Sequence, residues 1–147
     1  MISSPRGIAT LPTVIVLGIV ILAVVVSITS VSLSESFISQ GGSRSSQALF
    51  FAEAGARDAL VKIARNKNYT CTATDCYTID FATNGCANLN GCAKVSVSAG
   101  VGTVGDPKIV TSKGVMQLSA RTINVNVILD TNGNGEIATT TWSENIN

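Results

Sequence analysis

Ile8 to Leu33 reads IATLPTVIVLGIVILAVVVSITSVSL, and no ionisable side chain occurs between Arg6 and Glu35. An apolar run of about 25 residues, rising 1.5 Å per residue, is long enough to cross the ~30 Å hydrocarbon layer of a bilayer. It is too long for the apolar region of a cleaved secretory signal, which spans about 7–15 residues. The run therefore predicts a membrane-spanning helix, and the rest of the chain is read around it.

The full chain has 147 residues, 46% of them hydrophobic and only 13% charged. An average soluble chain is about 25% charged, and the deficit is concentrated in this run. Outside it lie roughly 110 residues, enough for one small core. Lys and Arg exceed Asp and Glu by one, for a net charge of +1 without a basic or acidic cluster, so nucleic acid is not an expected partner. The chain has no His. That removes catalytic triads, His-bearing zinc sites and the commonest general base, and no enzyme chemistry is expected.

Upstream of the run are seven residues, Met1 to Gly7, ending in Arg6-Gly7. A cut after Gly7 would leave the apolar helix intact. Arg6-Gly7 followed by Ile8-Ala9-Thr10-Leu11 resembles the processing site of type IV pilins and pseudopilins, whose short basic leader ends in Gly and is removed on the cytoplasmic side by a prepilin peptidase. The resemblance implies that Gly7 precedes the cut and that Ile8 becomes a methylated N-terminus. It also implies that the 8–33 helix becomes the core of a filament. Most pilins carry Glu at the fifth mature position, where it pairs with a neighbouring subunit's terminal amine. Here that position is Pro12, which shifts the resemblance toward PilX-type minor pilins and tip-forming pseudopilins. The competing reading is a monomeric membrane-anchored extracellular binding module, with Arg6 serving only to orient the anchor.

Downstream, Ser34 to Ser46 is rich in Ser and Gly. Gly41-Gly42 should bend or loosen a helix, since each Gly costs about 1 kcal/mol there. From Ser45 the helical period returns: Leu49, Ala52, Ala56, Ala59, Leu60 and Ile63 form one apolar stripe. Opposite it, Glu53-Arg57 and Asp58-Lys62 are spaced as i,i+4 ion pairs, so Glu53 is expected to be a solvated partner rather than a catalytic group. Ala52-Glu53-Ala54-Gly55 is similar to the segment that follows the membrane helix in PilX-type proteins. The helix should stop near Asn66-Lys67-Asn68.

Residues 67–93 are polar, loop-like and hold all four cysteines: Cys71, Cys76, Cys86 and Cys92. Their spacing fits neither a zinc site nor a catalytic dithiol. An even count in an extracytoplasmic segment points to two disulfides. Nested pairing (Cys71–Cys92, Cys76–Cys86) and sequential pairing (Cys71–Cys76, Cys86–Cys92) are both reachable, with sequential pairing favoured because each bridge closes a short loop. Asn68-Tyr69-Thr70 matches the glycosylation pattern but reads as loop.

From Ala93 the period becomes two. Val95, Val97, Ala99 and Val101 alternate with polar residues, Ile109 to Ser112 is a short strand, Ile123 to Leu129 alternates, and a last strand runs from Ile137 to Trp142. These predict a three- or four-stranded antiparallel sheet with one apolar face against the amphipathic helix. The segments Ile109–Gly114 and Arg121–Val127 are similar to the C-terminal strands of PilX-type proteins.

Two motifs are read as loops. Gly100-Val101-Gly102-Thr103-Val104-Gly105 fits G-x-G-x-x-G, but a strand rather than a helix should follow it. Asp130-Thr131-Asn132-Gly133-Asn134-Gly135-Glu136-Ile137 matches the first half of a calcium loop, for which Asp130, Asn132, Asn134 and Glu136 are the candidate ligands. Position twelve is Thr141 instead of Glu, and Asn-Gly occurs twice, so a hairpin connection is expected and no cofactor is assigned.

The reading is an α+β, pilin-like chain: leader 1–7, transmembrane and filament-core helix 8–33, hinge and amphipathic helix 34–66, and extracytoplasmic disulfide loop and sheet 67–147. Its implied partners are other pilin-like subunits, the prepilin peptidase and the pilus assembly platform. The implied location is first the inner or plasma membrane, in a single pass with the C-terminal part outside the cytoplasm, and then a cell-surface filament.

Overall fold

A computed structural model describes the backbone of residues 10–130 and 136–145. The chain divides between Gln40 and Gly41 into two units.

Helix α1 spans Thr10–Arg65. Pro12 lies in its first turn, where backbone N–H groups have no intrahelical partner, so its missing donor costs no hydrogen bond. The many β-branched residues after it weaken a helix in water by a few tenths of a kcal/mol each. In an apolar medium that preference is secondary, because a helix satisfies every backbone polar group within itself.

At the predicted hinge, α1 runs unbroken across Gly41 and Gly42, beside the boundary between the two units, and Ser46 Oγ donates to Gly42 O at 3.1 Å. Helix propagation adds one hydrogen bond per residue fixed, whereas a fresh start beyond the pair would repeat the costly nucleation step. The helix ends at Arg65, beside the predicted stop.

In the second unit, α1 presents Ala48, Ala52, Ala56, Ala59 and Ile63 as a fully buried stripe, with Leu49 and Leu60 packed at its margin. The stripe is nearly all Ala, so the backbone lies close to the sheet. A Cβ at Gly55 would stand 2.5 Å from Ser112 Oγ and 2.9 Å from Ala93 Cβ.

The sheet is a five-stranded antiparallel meander in sequence order. Its strands are β1 Tyr77–Asp80, β2 Cys92–Val97, β3 Lys108–Met116, β4 Ser119–Leu129 and β5 Ile137–Asn145, with the one-turn helix α2 (Gly85–Asn88) between β1 and β2. The strand missing from the sequence reading is β1. It offers only Tyr77 and Ile79 as an alternating pair inside a polar, Cys-rich segment, too little for a period-two signal. In addition β3 is longer than Ile109–Ser112, and β2 stops at Val97, so Ala99 and Val101 belong to the following loop.

Alternation places Val95, Val97, Val110, Ile123, Val125, Val127 and Leu129 in the core beneath α1. Gly100–Gly105 connects β2 to β3 without a helix, as expected. Gly102 is buried in it at φ +85°; its N–H bonds Asp106 O and its carbonyl receives Leu129 N–H.

Candidate functional site

Among the described residues, the longest run of exposed large apolar side chains lies in the first part of α1. Between Val14 and Ile28 the large apolar side chains are 52–68% exposed, and the most apolar 18-residue stretch of the helix has a mean hydropathy of 3.0. Its polar side chains are satisfied inside the helix: Ser27 Oγ donates to Ala23 O and Thr29 Oγ1 to Val25 O, both at 2.8 Å. This is a helix with the length and composition to cross a membrane, finished as an apolar medium requires. The processing residues Gly7 and Ile8 lie outside the described residues.

The second surface is the cysteine-bearing segment, whose bridges are Cys71–Cys76 and Cys86–Cys92, the sequential pairing. Bridges of this kind fit an extracytoplasmic compartment. The first is held to the sheet by paired backbone bonds between Cys71 and Val97 and by the Lys94–Asp75 ion pair at 3.1 Å. The second ties α2 to the start of β2. The ligand-type atoms of Asp80, Cys86 and Cys92 lie within 4.8 Å of one another, but the two sulfurs are bonded to each other and Asp80 Oδ1 accepts the Cys86 N–H at 2.7 Å. The cluster is a staple and its cap.

Aromatic contacts press this segment onto α1. Phe51 stacks on Phe81, with ring centroids 4.6 Å apart. Lys62 Nζ sits 3.3 Å from the centroid of the Tyr77 ring and 3.0 Å from Asp58 Oδ2. The predicted Asp58–Lys62 pair thus forms and gains an aromatic partner, whereas Glu53 and Arg57 make no ion pair among the described residues. At the other side of the helix, Arg121 Nε donates to Ser45 Oγ at 2.8 Å and its Nη1 to Glu144 at 2.9 Å, linking α1, β4 and β5.

Two buried polar groups leave no signal in the sequence. Lys108 faces the core side of β3, donating from Nζ to Tyr69 O at 3.2 Å. Burial lowers its pKa, with Asp106 opposing. Tyr77 Oη is buried with no hydrogen bond of standard geometry. Burial first, and then the Asp58 carboxylate beside it, push its pKa well above the ordinary value.

The Tyr77 shift has a signed consequence. Below about pH 10 both folded and unfolded chains keep this proton, and stability does not depend on it. Above that pH the unfolded chain releases it first, so stability falls by up to about 1.4 kcal/mol per pH unit from this group. Urea unfolding at pH 9 and pH 11 should show a smaller alkaline loss for Tyr77→Phe than for wild type. Equal losses would show that Tyr77 is readily ionised in the folded protein.

Each bridge closes a short loop, with sequence separations of 5 and 6, for which chain-entropy arguments give about 2 kcal/mol. Thiol labelling of denatured, unreduced protein should find no free cysteine. The paired change Cys86→Ser with Cys92→Ser should lower unfolding free energy by about that amount and speed proteolysis within residues 81–91. Unchanged protease resistance would mean the aromatic stack alone holds the segment.

Of the calcium candidates, Asn132 and Asn134 lie outside the described residues. Asp130 and Glu136 flank the connection between adjacent antiparallel strands β4 and β5, and Asp130 N–H bonds Glu136 O at 2.8 Å. β4 and β5 are thus consecutive antiparallel strands, and the Asn-Gly pairs of their connection lie outside the described residues.

No family model, curated protein or solved structure matches this chain.

Proposed function

We propose that this chain is a structural subunit of a type IV pilus-like surface filament, akin to PilX-type minor pilins or pseudopilins. The prepilin peptidase cuts after Gly7 and Ile8 becomes the methylated terminus. The assembly platform then draws the 8–33 helix from the membrane into a bundle of like helices. There its exposed Val, Ile and Leu side chains bury one another, while the stapled sheet faces outward. Pro12, standing where most pilins have Glu, removes the usual pairing to a neighbour's amine and suits a minor or tip position better than a bulk one.

The observation that carries this reading is a single helix, α1, that is uncharged and exposed over its first part and packed by an Ala stripe onto an antiparallel sheet over its last. A plain anchor accounts for the apolar part alone.

The test is processing. Replacing Gly7 by Leu should leave an uncleaved precursor in the membrane and no subunit in sheared surface material. Normal maturation of that variant would point to the membrane-anchored binding module instead.

A further inference from the structure

The sheet of the second unit has two ends, and their chemistry differs. At one of them α1 enters the unit at Gly41. Arg121, near the start of β4, bonds Ser45 there, and Gly114, near the end of β3, lies against Ala48 and Ala52. Strand register brings the segment after β1 and the β3–β4 turn to this same end, since Asp80 pairs with Cys92 and Cys92 with Val115. The far end carries the segment after α1, the β2–β3 loop and the β4–β5 connection.

Charge separates the two ends. Residues 66–76, 98–107 and 130–136 at the far end include Lys67, Asp75, Asp106, Asp130 and Glu136. At the entry end, residues 81–93 and 114–120 hold no ionisable side chain, and residues 41–47 hold only Arg44. The Arg121–Glu144 pair beside them is neutral overall. In place of charge, the entry end exposes large apolar groups. Leu118, at the tip of the β3–β4 turn, is 98% exposed, Leu89 45% and Phe81 40%. The loops that carry the two leucines are tied together, because Gln117 N–H donates to Leu89 O. Exposed apolar residues scattered singly are ordinary; three on two joined, uncharged loops form a surface.

We propose that this end is a lipid-contacting surface: Leu118 and Leu89 enter the headgroup–acyl boundary of the bilayer that α1 spans, with Phe81 at the margin and Arg44 meeting lipid phosphate. The chain itself selects this occupant. The apolar run stops at Leu33, and residues 34–40, which join it to the entry end, rise about 10 Å as helix. The headgroup layer to be crossed is about 5–8 Å thick. Phe37 and Ile38 lie in that connecting stretch, both exposed, and apolar side chains of this kind suit the boundary. A contact too weak to hold a free domain at a membrane suffices for one that is already tethered there. The proposal rests on α1 spanning a membrane, which the filament and anchor readings share, and does not depend on assembly.

The test uses the full chain in vesicles of phosphatidylcholine and phosphatidylglycerol whose acyl chains carry bromine close to the glycerol. In a Trp142→Phe background, Leu118→Trp reports on the entry end. Val104→Trp replaces an apolar residue 83% exposed in the β2–β3 loop at the far end, and controls for the affinity of Trp for interfaces. Brominated lipid should quench position 118 at least about threefold more than position 104, and the emission from position 118 should lie further to the blue. If alkaline extraction leaves the chain in the vesicles, equal quenching at the two positions would overturn the lipid contact alone. Release of the chain by alkaline extraction would overturn the span and the contact with it. A blue-shifted position 118 that bromine does not quench, and that shifts back when the chain is diluted with lipid, would assign this end to a second copy and overturn the proposal.

Discussion

Gly114→Val should unfold the second unit or cost it at least about 3 kcal/mol. Gly114 sits on β3 directly beneath α1, and a Cβ there would fall on the carbonyl oxygen of Ala48 and within 2.5 Å of the backbone nitrogen of Ala52. Both atoms belong to a helix backbone and cannot turn aside as a side-chain tip would. The helix must lift from the sheet, opening space beside Ala52, Ala56, Val95 and Val110, which are fully buried. Overpacking of a tight core costs about 1–3 kcal/mol when side chains absorb it, so displacement of a whole element belongs at or above that range. Gly42→Ala is the contrasting change: its Cβ meets open space, and exchanging Gly for Ala inside a helix should stabilise by about 0.5–1 kcal/mol. Denaturant unfolding of the two variants gives opposite signs if the close approach of α1 is real. A mild effect of Gly114→Val would mean that helix and sheet do not approach this closely.

Two carboxylates in the apolar run should abolish its insertion where one does not. Twelve Val, Ile and Leu side chains lie between Val14 and Ile28, and each favours the membrane by about 0.3–0.6 kcal/mol near the centre. Together they supply about 4–7 kcal/mol. One Asp costs about 2.5–3.5 kcal/mol, so Val20→Asp should still insert. Val20→Asp with Val24→Asp removes two contributors and adds about 5–7 kcal/mol, which tips the balance. The pair also places like charges at i,i+4. Alkaline extraction of membranes should retain the single variant and release the double one. Retention of both would show that something other than the apolar run holds the chain.

Much of this architecture is legible in the sequence, and the reason is periodicity. Ala52, Ala56, Ala59 and Ile63 repeat at helical spacing, and Ile123, Val125, Val127 and Leu129 repeat at strand spacing; the structure buries both sets against each other. Short loops close easily, which favours sequential disulfides, and these are the ones formed. The features not legible in the sequence depend on long-range partners. β1 is a strand because β2 pairs with it, and its own four residues carry almost no signal. Gly41-Gly42 stays helical because helix flanks it on both sides. The burial of Lys108 follows from β3 starting one residue earlier than its apolar run suggests, which turns that side chain toward the core. The Phe51–Phe81 stack joins residues thirty positions apart, beyond any local pattern.

Whether α1 is a processed assembly element is read from the mass of the mature N-terminal peptide. For protein taken from its native membrane or surface filament, the account predicts a first residue Ile8 carrying one methyl group on its amine. An intact Met1, or a chain that begins beyond Leu33, would contradict it.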